Sequence, residues 1–385
     1  MLMLIVAYCL FANFAHPITP TVIQNLGLHS YMFGVAFAAM SVTLFLFSPL
    51  WGKLSQRYGS PIISCISLIG YSGGQFLFML ARSEAGIILA RAVAGFFIGG
   101  IMVNQLSYIM RNSSIENRSR NLTIMATLEA VFSSMGFLVG GFIGDYSIDL
   151  TFIIQCIGLV IIGFLYWFIL DDEKTTNATQ EKFSKSINPF KAFYETKGLL
   201  TRFLMVFFVI TVATSFASIC YDLCFNFFIK DQFGFPPSYN GLLKAAVGII
   251  TLIANSTVCL WLMKKTNIKF SIIPVLCICF VMMLAIVLVK DMVPFIIINV
   301  IFFGFNAIYL PLIQDILAGV SKKDNGLLVG LYNSMRSLGM VGGSLFAGFI
   351  YTFGPRLAFV SAAVAFFVAI VAAIINYRLS LKEEN

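Results

Sequence analysis

The chain consists of apolar stretches of about 20 residues that recur along almost its whole length. A helix that rises about 1.5 Å per residue needs about that many residues to cross roughly 30 Å of hydrocarbon. Only 11% of the 385 residues are charged, whereas ordinary soluble domains have about 25%. These features exclude a water-soluble globule and predict an all-α membrane protein.

Breaks at Gly, Pro and charged residues divide the chain into twelve predicted transmembrane helices. Numbered helix 1 to helix 12, they are predicted over residues 2–25, 31–51, 61–81, 84–110, 121–144, 151–170, 200–228, 238–263, 269–289, 292–319, 325–350 and 356–377. The longest polar segment divides them into two pseudo-symmetric six-helix bundles. We therefore expect an N-terminal bundle at 1–170, a cytoplasmic linker at 171–199, a C-terminal bundle at 200–378 and a cytoplasmic tail at 379–385.

The distribution of lysine and arginine predicts the orientation of the chain. One set of alternate loops, which includes the linker, holds eighteen basic residues, and the other set holds four. Because the basic excess stays on the cytoplasmic side, both termini are predicted to be cytoplasmic in a multi-pass plasma-membrane protein. The net charge of +8 therefore reflects topology rather than a nucleic-acid partner.

The first residues and the cysteines both fit this membrane interpretation. Met1–Phe11 lacks a basic n-region and a cleavage site, so we expect it to be retained as part of helix 1; a start upstream of Met1 stays open. All eight cysteines lie in apolar segments without the spacing of a metal site or a disulfide framework. We interpret them as packing residues and expect no metal and no cofactor.

A short basic segment between helices 2 and 3 carries Gly52, Arg57 and Gly59. It resembles the loop signature G-x-L-a-D-r-x-G-r of the major facilitator family, although Gln56 stands where that family usually has Asp. Glycines permit the tight turn between two helices, and the arginine can bind helix carbonyls or an acidic partner. The resemblance implies a gating role for the three residues.

Further motifs occur in the expected order along the chain. Helix 1 has Pro17 and Pro20, helix 4 has Arg91 followed by Gly95, and helix 11 is rich in glycine over 330–348. Helix 5 resembles the antiporter motif G-x-x-x-G-P-x-x-G-G through four glycines, Gly136, Gly140, Gly141 and Gly144. Gly141 replaces the usual Pro. Close helix packing and a role in preventing leak both account for this stripe.

Together these motifs resemble the twelve-helix drug:proton antiporter branch of the major facilitator superfamily, including Gram-positive multidrug efflux pumps. The resemblance covers the whole chain and implies a bacterial transporter. It also implies that Arg91 and Asp222 take part in proton coupling. Glu129 is predicted to do so because it lies at membrane depth on the helix face that carries Gly136. The residues themselves leave other roles open: Glu129 as a static partner of Arg91 or a polar neighbour, Asp222 as an interfacial residue, and Arg91 as a purely structural cation.

Other polar and aromatic residues complete the predicted site. Asp315 and Arg336 are predicted to form a structural pair between helices 10 and 11, and His16 is expected mainly to hydrogen-bond carbonyls freed beside Pro17. A substrate cavity with adaptable, mostly aromatic walls is predicted. Its residues are Phe14, Phe132, Tyr221, Phe225, Phe305, Asn306 and Tyr309.

The leading functional prediction is proton-coupled efflux of lipophilic small molecules, such as drugs and dyes, by alternating access. The alternative is a transporter of one metabolite, a sugar, an amino acid or a metal chelator, in either direction. We find no catalytic cluster and no phosphate-binding Gly-Lys-Ser/Thr loop, so neither an enzyme nor an ATP-driven pump is expected. The predicted partners are a small-molecule substrate, protons and the lipid bilayer, and the predicted state is a monomer.

Overall fold

The computed structural model describes residues 1–28, 32–170, 200–233, 238–320, 326–351, 353–354 and 356–383. The predicted linker at 171–199 lies outside these residues. The remainder is helical, and we number the helices so that α1 to α12 correspond to the twelve predicted ones. They are α1a (Leu2–Ala12), α1b (Thr19–Asn25), α2 (Met32–Tyr58), α3 (Ser60–Leu80), α4 (Glu84–Asn112), α5 (Ile115–Tyr146), α6 (Ile148–Ile169), α7 (Arg202–Phe233), α8a (Ser238–Ala254), α8b (Leu260–Lys265), α9 (Ile268–Leu288), α10 (Met292–Val320), α11 (Gly326–Tyr351) and α12 (Leu357–Glu383).

Within the described part of the chain, ten helices are long and apolar enough to cross a membrane, judged by length and composition. The exceptions are α1, which is divided, and α11, which carries Asn333, Arg336 and several glycines and serines. Large apolar side chains such as Phe142, Phe168 and Leu288 are exposed on the outside of the bundle. This is the surface that a bilayer would cover, and the prediction of an all-α membrane fold is confirmed.

Helix 1 was predicted as one continuous helix, whereas the structure divides it between residues 12 and 19. Pro17 cannot donate a backbone hydrogen bond and its ring obstructs the preceding turn, so the helix stops there. The carbonyl freed at Ala12 accepts hydrogen bonds from Gln155 Nε2 on α6 at 2.8 Å and from the Tyr71 hydroxyl on α3 at 3.3 Å. Asn13 Nδ2 donates to the carbonyl of Cys9 at 2.8 Å. Buried side chains of the other helices thus stabilise the break.

The segment predicted as a gating loop is mostly helical. α2 continues through Gly52 and Arg57 to Tyr58, and only Gly59 turns the chain before α3 begins. Gly59 has a φ of 85°, a left-handed value that favours glycine. Nothing between Gly52 and Tyr58 obliges the helix to stop, because a lone internal glycine costs only about 1 kcal/mol.

Two further helices extend six residues beyond their predicted bounds. α5 begins at Ile115, six residues before the predicted start, and α12 continues to Glu383 through most of the predicted tail. Both extensions are polar. Hydropathy marks the part of a helix that lies in the bilayer, and a helix can continue beyond it into water.

Glycine stripes hold corresponding helix pairs together in the two halves of the chain. A Cβ atom at Gly136 or Gly140 of α5 would lie 2.2 or 2.3 Å from the carbonyl oxygen of Leu10 or Phe14 on helix 1. On α11, Gly339 approaches the Val212 carbonyl of α7 in the same way, since its Cβ would lie 2.3 Å away. These approaches place α1 against α5 and α7 against α11.

The two halves meet mainly where α2 packs on α11 and α5 packs on α8. Pro49 cannot donate to the Phe45 carbonyl, and Ser334 Oγ of α11 supplies that hydrogen bond at 2.6 Å. At the end of the bundle that carries Lys53, Arg118 and Lys264, which we call the basic end, Arg118 Nη1 donates to the carbonyl of Ala318 at 2.9 Å. α2, α5, α10 and α11 therefore close the bundle at the basic end.

Candidate transport site

A cavity of about 230 Å³ lies between the two halves and is lined from helices 1, 2, 4, 5 and 7. Its walls combine polar and apolar side chains from the break in helix 1 and from the facing helices. These are Asn13, His16, Thr19, Ala36, Phe37, Met40, Arg91, Phe137, Asp222 and Leu223. Arg91 is seven residues from the start of α4, about 10 Å along its axis at 1.5 Å per residue. The cavity therefore lies away from the closed basic end.

Arg91 is one of the predicted coupling residues, and the structure places it in the cavity wall. It is only 4% exposed, its Nη2 donates to Thr19 Oγ1 at 2.8 Å, and its guanidinium lies 4.0 Å from the centre of the Phe78 ring. Thr19 is the first residue of α1b, so Arg91 holds that helix beside the break. Within the described residues Arg91 forms no salt bridge.

Asp222 also lines the cavity and forms an ion pair with Lys244 of α8a. The Asp222 side chain is 36% exposed and that of Lys244 is 18% exposed. Lys244 Nζ also lies 5.8 Å from the centre of the Phe137 ring on α5, and the His16 imidazole stacks on that ring with a centroid separation of 5.7 Å. The ion pair of the second half thus contacts an aromatic pair of the first half.

Glu129, the other predicted coupling carboxylate, does not line this cavity. It precedes Phe137 by eight residues on α5, about 12 Å nearer the basic end. It interacts electrostatically with Arg336 of α11 and lies near Cys9 of α1a. The structure therefore gives Glu129 a cationic neighbour from the opposite half and does not bring it to Arg91.

None of the seven predicted substrate-contacting residues lines this cavity. Tyr221 and Phe225 are buried and stack on each other, with Phe302 and Phe303 of α10 around them. A helix turns about 100° per residue, so Tyr221 faces the hydrophobic core of the bundle although the adjacent Asp222 faces the cavity. Phe14 presents its backbone to Gly140 and its ring to Phe11.

The remaining predicted residues lie on or beside α10. Asn306 and Tyr309 both hydrogen-bond Ser218 of α7, with separations of 3.2 and 2.8 Å. Phe132 and Phe305 are partly buried against the main hydrophobic core. These four side chains contribute to packing between helices in this conformation.

Asp315 and Arg336 were predicted to pair, and the structure does not bring them together. Asp315 accepts a hydrogen bond from Ser119 of α5 and interacts electrostatically with Arg118. Arg336 instead interacts with Glu129. Both acids therefore interact electrostatically with the opposite half of the chain, and the hydrogen bond from Ser119 makes Asp315 part of the closed contact at the basic end.

The four glycines of the α5 motif differ in how closely they approach helix 1. Gly136, Gly140 and Gly144 face helix 1, and a Cβ atom at Gly144 would lie 2.1 Å from Ile18 Cγ2. Gly141 differs, because its Cβ would meet only ordinary contacts at 3.8 Å from Pro17. Close packing thus explains the stripe but gives Gly141 no special part.

Two residues of this arrangement were not selected from the sequence. Lys244 was not among the predicted site residues, and Phe137 was one of forty phenylalanines. The available signal was Lys244 itself, a cation only six residues into an apolar helix, for which a partner or a wet cavity is required. The partner, Asp222, could not be identified without the positions of α7 and α8 in the folded chain.

In the described part of the chain, twelve helices form two interlocked halves with a charged cavity between them, which is the architecture of a secondary transporter. The model of the Major Facilitator Superfamily matches residues 1–318, and the chain belongs to that family.

Known proteins agree with this assignment. Multidrug resistance protein 1 of Bacillus subtilis is 23% identical over 92% of this chain and 89% of its own length. Quinolone resistance protein NorA of Staphylococcus aureus is 23% identical over 96% of this chain and 94% of its own. Among solved structures, the human organic anion transporter MFSD10 gives a TM-score of 0.78 at 15% identity over 97% of this chain and 98% of its own. FucP in the outward conformation gives 0.75 at 13% identity, with 97% of both chains covered.

Proposed function

We propose that the chain exports lipophilic small molecules across a bacterial plasma membrane by proton-coupled alternating access, with both termini in the cytoplasm. The supporting observation is Asp222, which lines a cavity between the two halves and forms an ion pair with Lys244. A carboxylate at such a position is exposed enough to exchange a proton, and its neighbours change when the halves move. The relatives named for multidrug and quinolone resistance favour drugs as substrates, and dyes serve as probes of the same lipophilic class.

In this proposal the N-terminal bundle at 1–170 and the C-terminal bundle at 200–378 rock about the cavity, joined by the linker at 171–199. This conformation is closed at the basic end, so its cavity would be reached from outside the cell. Opening of the basic end requires separation of Ser119 from Asp315 and of Arg118 from Ala318. Protonation of Asp222 or Glu129 then biases one conformation over the other.

The test is dye transport by the full chain in inverted membrane vesicles, with and without a proton gradient. We expect accumulation that stops when the gradient is collapsed. We expect Asp222→Asn or Glu129→Gln to abolish accumulation, and the one that does so identifies the coupling carboxylate. Asp149→Asn, an exposed carboxylate at the start of α6, is the control.

Two outcomes would refute this function. Accumulation that survives collapse of the gradient, or normal accumulation by both variants, excludes proton coupling through these residues. Uptake of one sugar, amino acid or metal chelator, with no dye transport, favours the metabolite carrier instead.

A further inference from the structure

The charged groups in and beside the cavity carry more positive than negative charge. Arg91 lines the cavity, and Lys244, which is not itself a lining residue, pairs with Asp222, the only carboxylate among the lining residues that the structure describes. Two cations and one carboxylate leave a net charge of +1 with His16 neutral. Protonation of His16 would add to this charge, so the sign is the same in both states of the imidazole.

The charge of Arg91 lacks a counter-ion within the described part of the chain. Its described contacts are the neutral Thr19 hydroxyl and the face of Phe78. An unpaired charge that is 96% buried is costly, since water no longer solvates it and no anion replaces the water. A planar guanidinium that is held at a cavity wall can bind a carboxylate or sulfonate, whose oxygens can accept hydrogen bonds from two of its N–H groups.

The rest of the wall suits an apolar, aromatic body. Phe37, Met40, Phe137 and Leu223 line the cavity, and Phe137 already stacks with His16. Aromatic and thioether side chains adapt to flat ligands. The volume of about 230 Å³ lies below the range of roughly 300–1,000 Å³ typical of drug-sized pockets. A ligand of one or two fused rings with one anionic group fits these walls.

We propose that this cavity binds amphipathic organic anions, a substrate class that rests on the transport function proposed above. The anionic group lies between Arg91 and Lys244, and the ring system lies against Phe137. Asp222 is then a resident counter-ion that competes with the substrate for Lys244.

This competition predicts opposite effects for the two members of the ion pair. Removal of the Asp222 charge leaves Lys244 free for the ligand, so anion affinity should increase. Removal of the Lys244 charge deletes one attractive contact and leaves Asp222 to repel the ligand, so anion affinity should decrease. A site in which Asp222 binds a cationic substrate predicts neither result.

The experiment measures binding of three matched naphthalenes by equilibrium dialysis. The probes are 2-naphthoate, the uncharged 2-naphthamide and the cation 2-naphthylmethylammonium. The full chain is held in phosphatidylcholine nanodiscs, and binding to empty nanodiscs is subtracted. For the parent chain we expect naphthoate to bind at least about tenfold more tightly than the amide, because one charge-assisted hydrogen bond increases affinity by about that factor.

The variants then test the two sides of the pair. Lys244→Met should weaken naphthoate binding at least about tenfold and leave amide binding within about twofold, whereas Asp222→Asn should strengthen naphthoate binding several-fold. The double variant Lys244→Met with Asp222→Asn should lie between them. Lys264→Met, an exposed lysine of α8b at the basic end, removes the same charge and should change nothing. Lys244→Arg should retain binding and guards against a folding defect in Lys244→Met.

Three results would overturn the proposal: no naphthoate binding by the parent chain, tighter binding of the ammonium than of the naphthoate, or weaker naphthoate binding by Asp222→Asn. Because no gradient is present, the assay is independent of coupled export. Naphthoate binding without dye export would refute the export function alone, and dye export without naphthoate binding would refute the anion site alone.

Discussion

Gly52 of α2 lies directly against the backbone carbonyl of Gly326 at the start of α11. A Cβ atom built on Gly52 would lie 2.1 Å from that oxygen, and one built on Gly326 would lie 2.7 Å from the Gly52 carbonyl. Both obstacles are backbone atoms, which cannot rotate away as a side chain can. The two halves can therefore close at the basic end only because both positions lack a side chain.

The first prediction is that Gly52→Val holds the basic end open. Overpacking of a tight contact costs about 1–3 kcal/mol, which would shift a closed-to-open equilibrium by a factor of roughly 5 to 150. The measurement is labelling of Thr123→Cys by a membrane-impermeant maleimide. Thr123 is 2% exposed, and its Oγ1 is 2.9 Å from Met263 Sδ across the two halves. Labelling should increase with Gly52→Val.

A matched glycine gives the control for this experiment. A Cβ atom on Gly73 of α3 would have no neighbouring atom within 4 Å, so Gly73→Val should leave the labelling rate unchanged. Equal labelling in the Gly52 and Gly73 variants would mean that the glycine contact does not control closure.

The second prediction concerns the acid at the same end. Asp315 accepts a hydrogen bond from Ser119, next to Arg118. Asp315→Asn keeps the volume and removes the charge, so the charge-assisted bond weakens by about 1 kcal/mol. We expect labelling of Thr123→Cys to increase roughly fivefold. Glu116→Gln, which changes an exposed acid in the first turn of α5, should have no effect on labelling. Slower labelling in Asp315→Asn would contradict the assignment of Asp315 to the closed contact at the basic end.

The third prediction separates packing from a special role for the glycine motif of α5. Gly140→Ala places a methyl group 2.3 Å from the Phe14 carbonyl, and Gly141→Ala meets only an ordinary contact at 3.8 Å. We expect Gly140→Ala to lower the free energy of unfolding by about 1–3 kcal/mol and Gly141→Ala to leave it nearly unchanged. Denaturant unfolding of the purified chain in detergent measures both. A large loss for Gly141→Ala would mean that the position needs glycine for another reason.

The sequence predicted the helices well because apolar length is a local property of the chain. It could not predict what stabilises the break in helix 1. Pro17 gave the position of a weak point, but the donors to the Ala12 carbonyl are Tyr71 and Gln155, which lie 59 and 143 residues away in sequence. Contacts of that separation depend on the packing of several helices at once.

The same limit applies to the site residues, because which side of a helix faces the cavity depends on packing between distant helices. Arg91 and Asp222 were predicted as coupling residues because a charge in an apolar run needs a partner or a wet surface, and the structure places both in the cavity wall. The aromatic residues predicted for the cavity do not line it, since Tyr221 and Asp222 differ by one residue and hence by about 100° of helix rotation. Charge at membrane depth is visible in sequence, whereas the facing of a phenylalanine in a helix that is apolar all round is not.

The fourth prediction is that the hydrogen bonds at the break in helix 1 control ligand binding as well as stability. Gln155→Leu removes the closer donor to the Ala12 carbonyl and leaves that buried oxygen with the weaker bond from Tyr71. An incompletely satisfied buried polar group costs about 1–3 kcal/mol. Gln105→Leu is the matched control, because Gln105 is equally buried and its described hydrogen bond goes to Tyr166 and not to helix 1. Both variants should lower the apparent Tm. Only Gln155→Leu should also weaken 2-naphthoate binding, since His16 and Thr19 lie on the segment that the Ala12 carbonyl anchors. Equal binding by the two variants would mean that the break in helix 1 serves packing alone and does not shape the binding site.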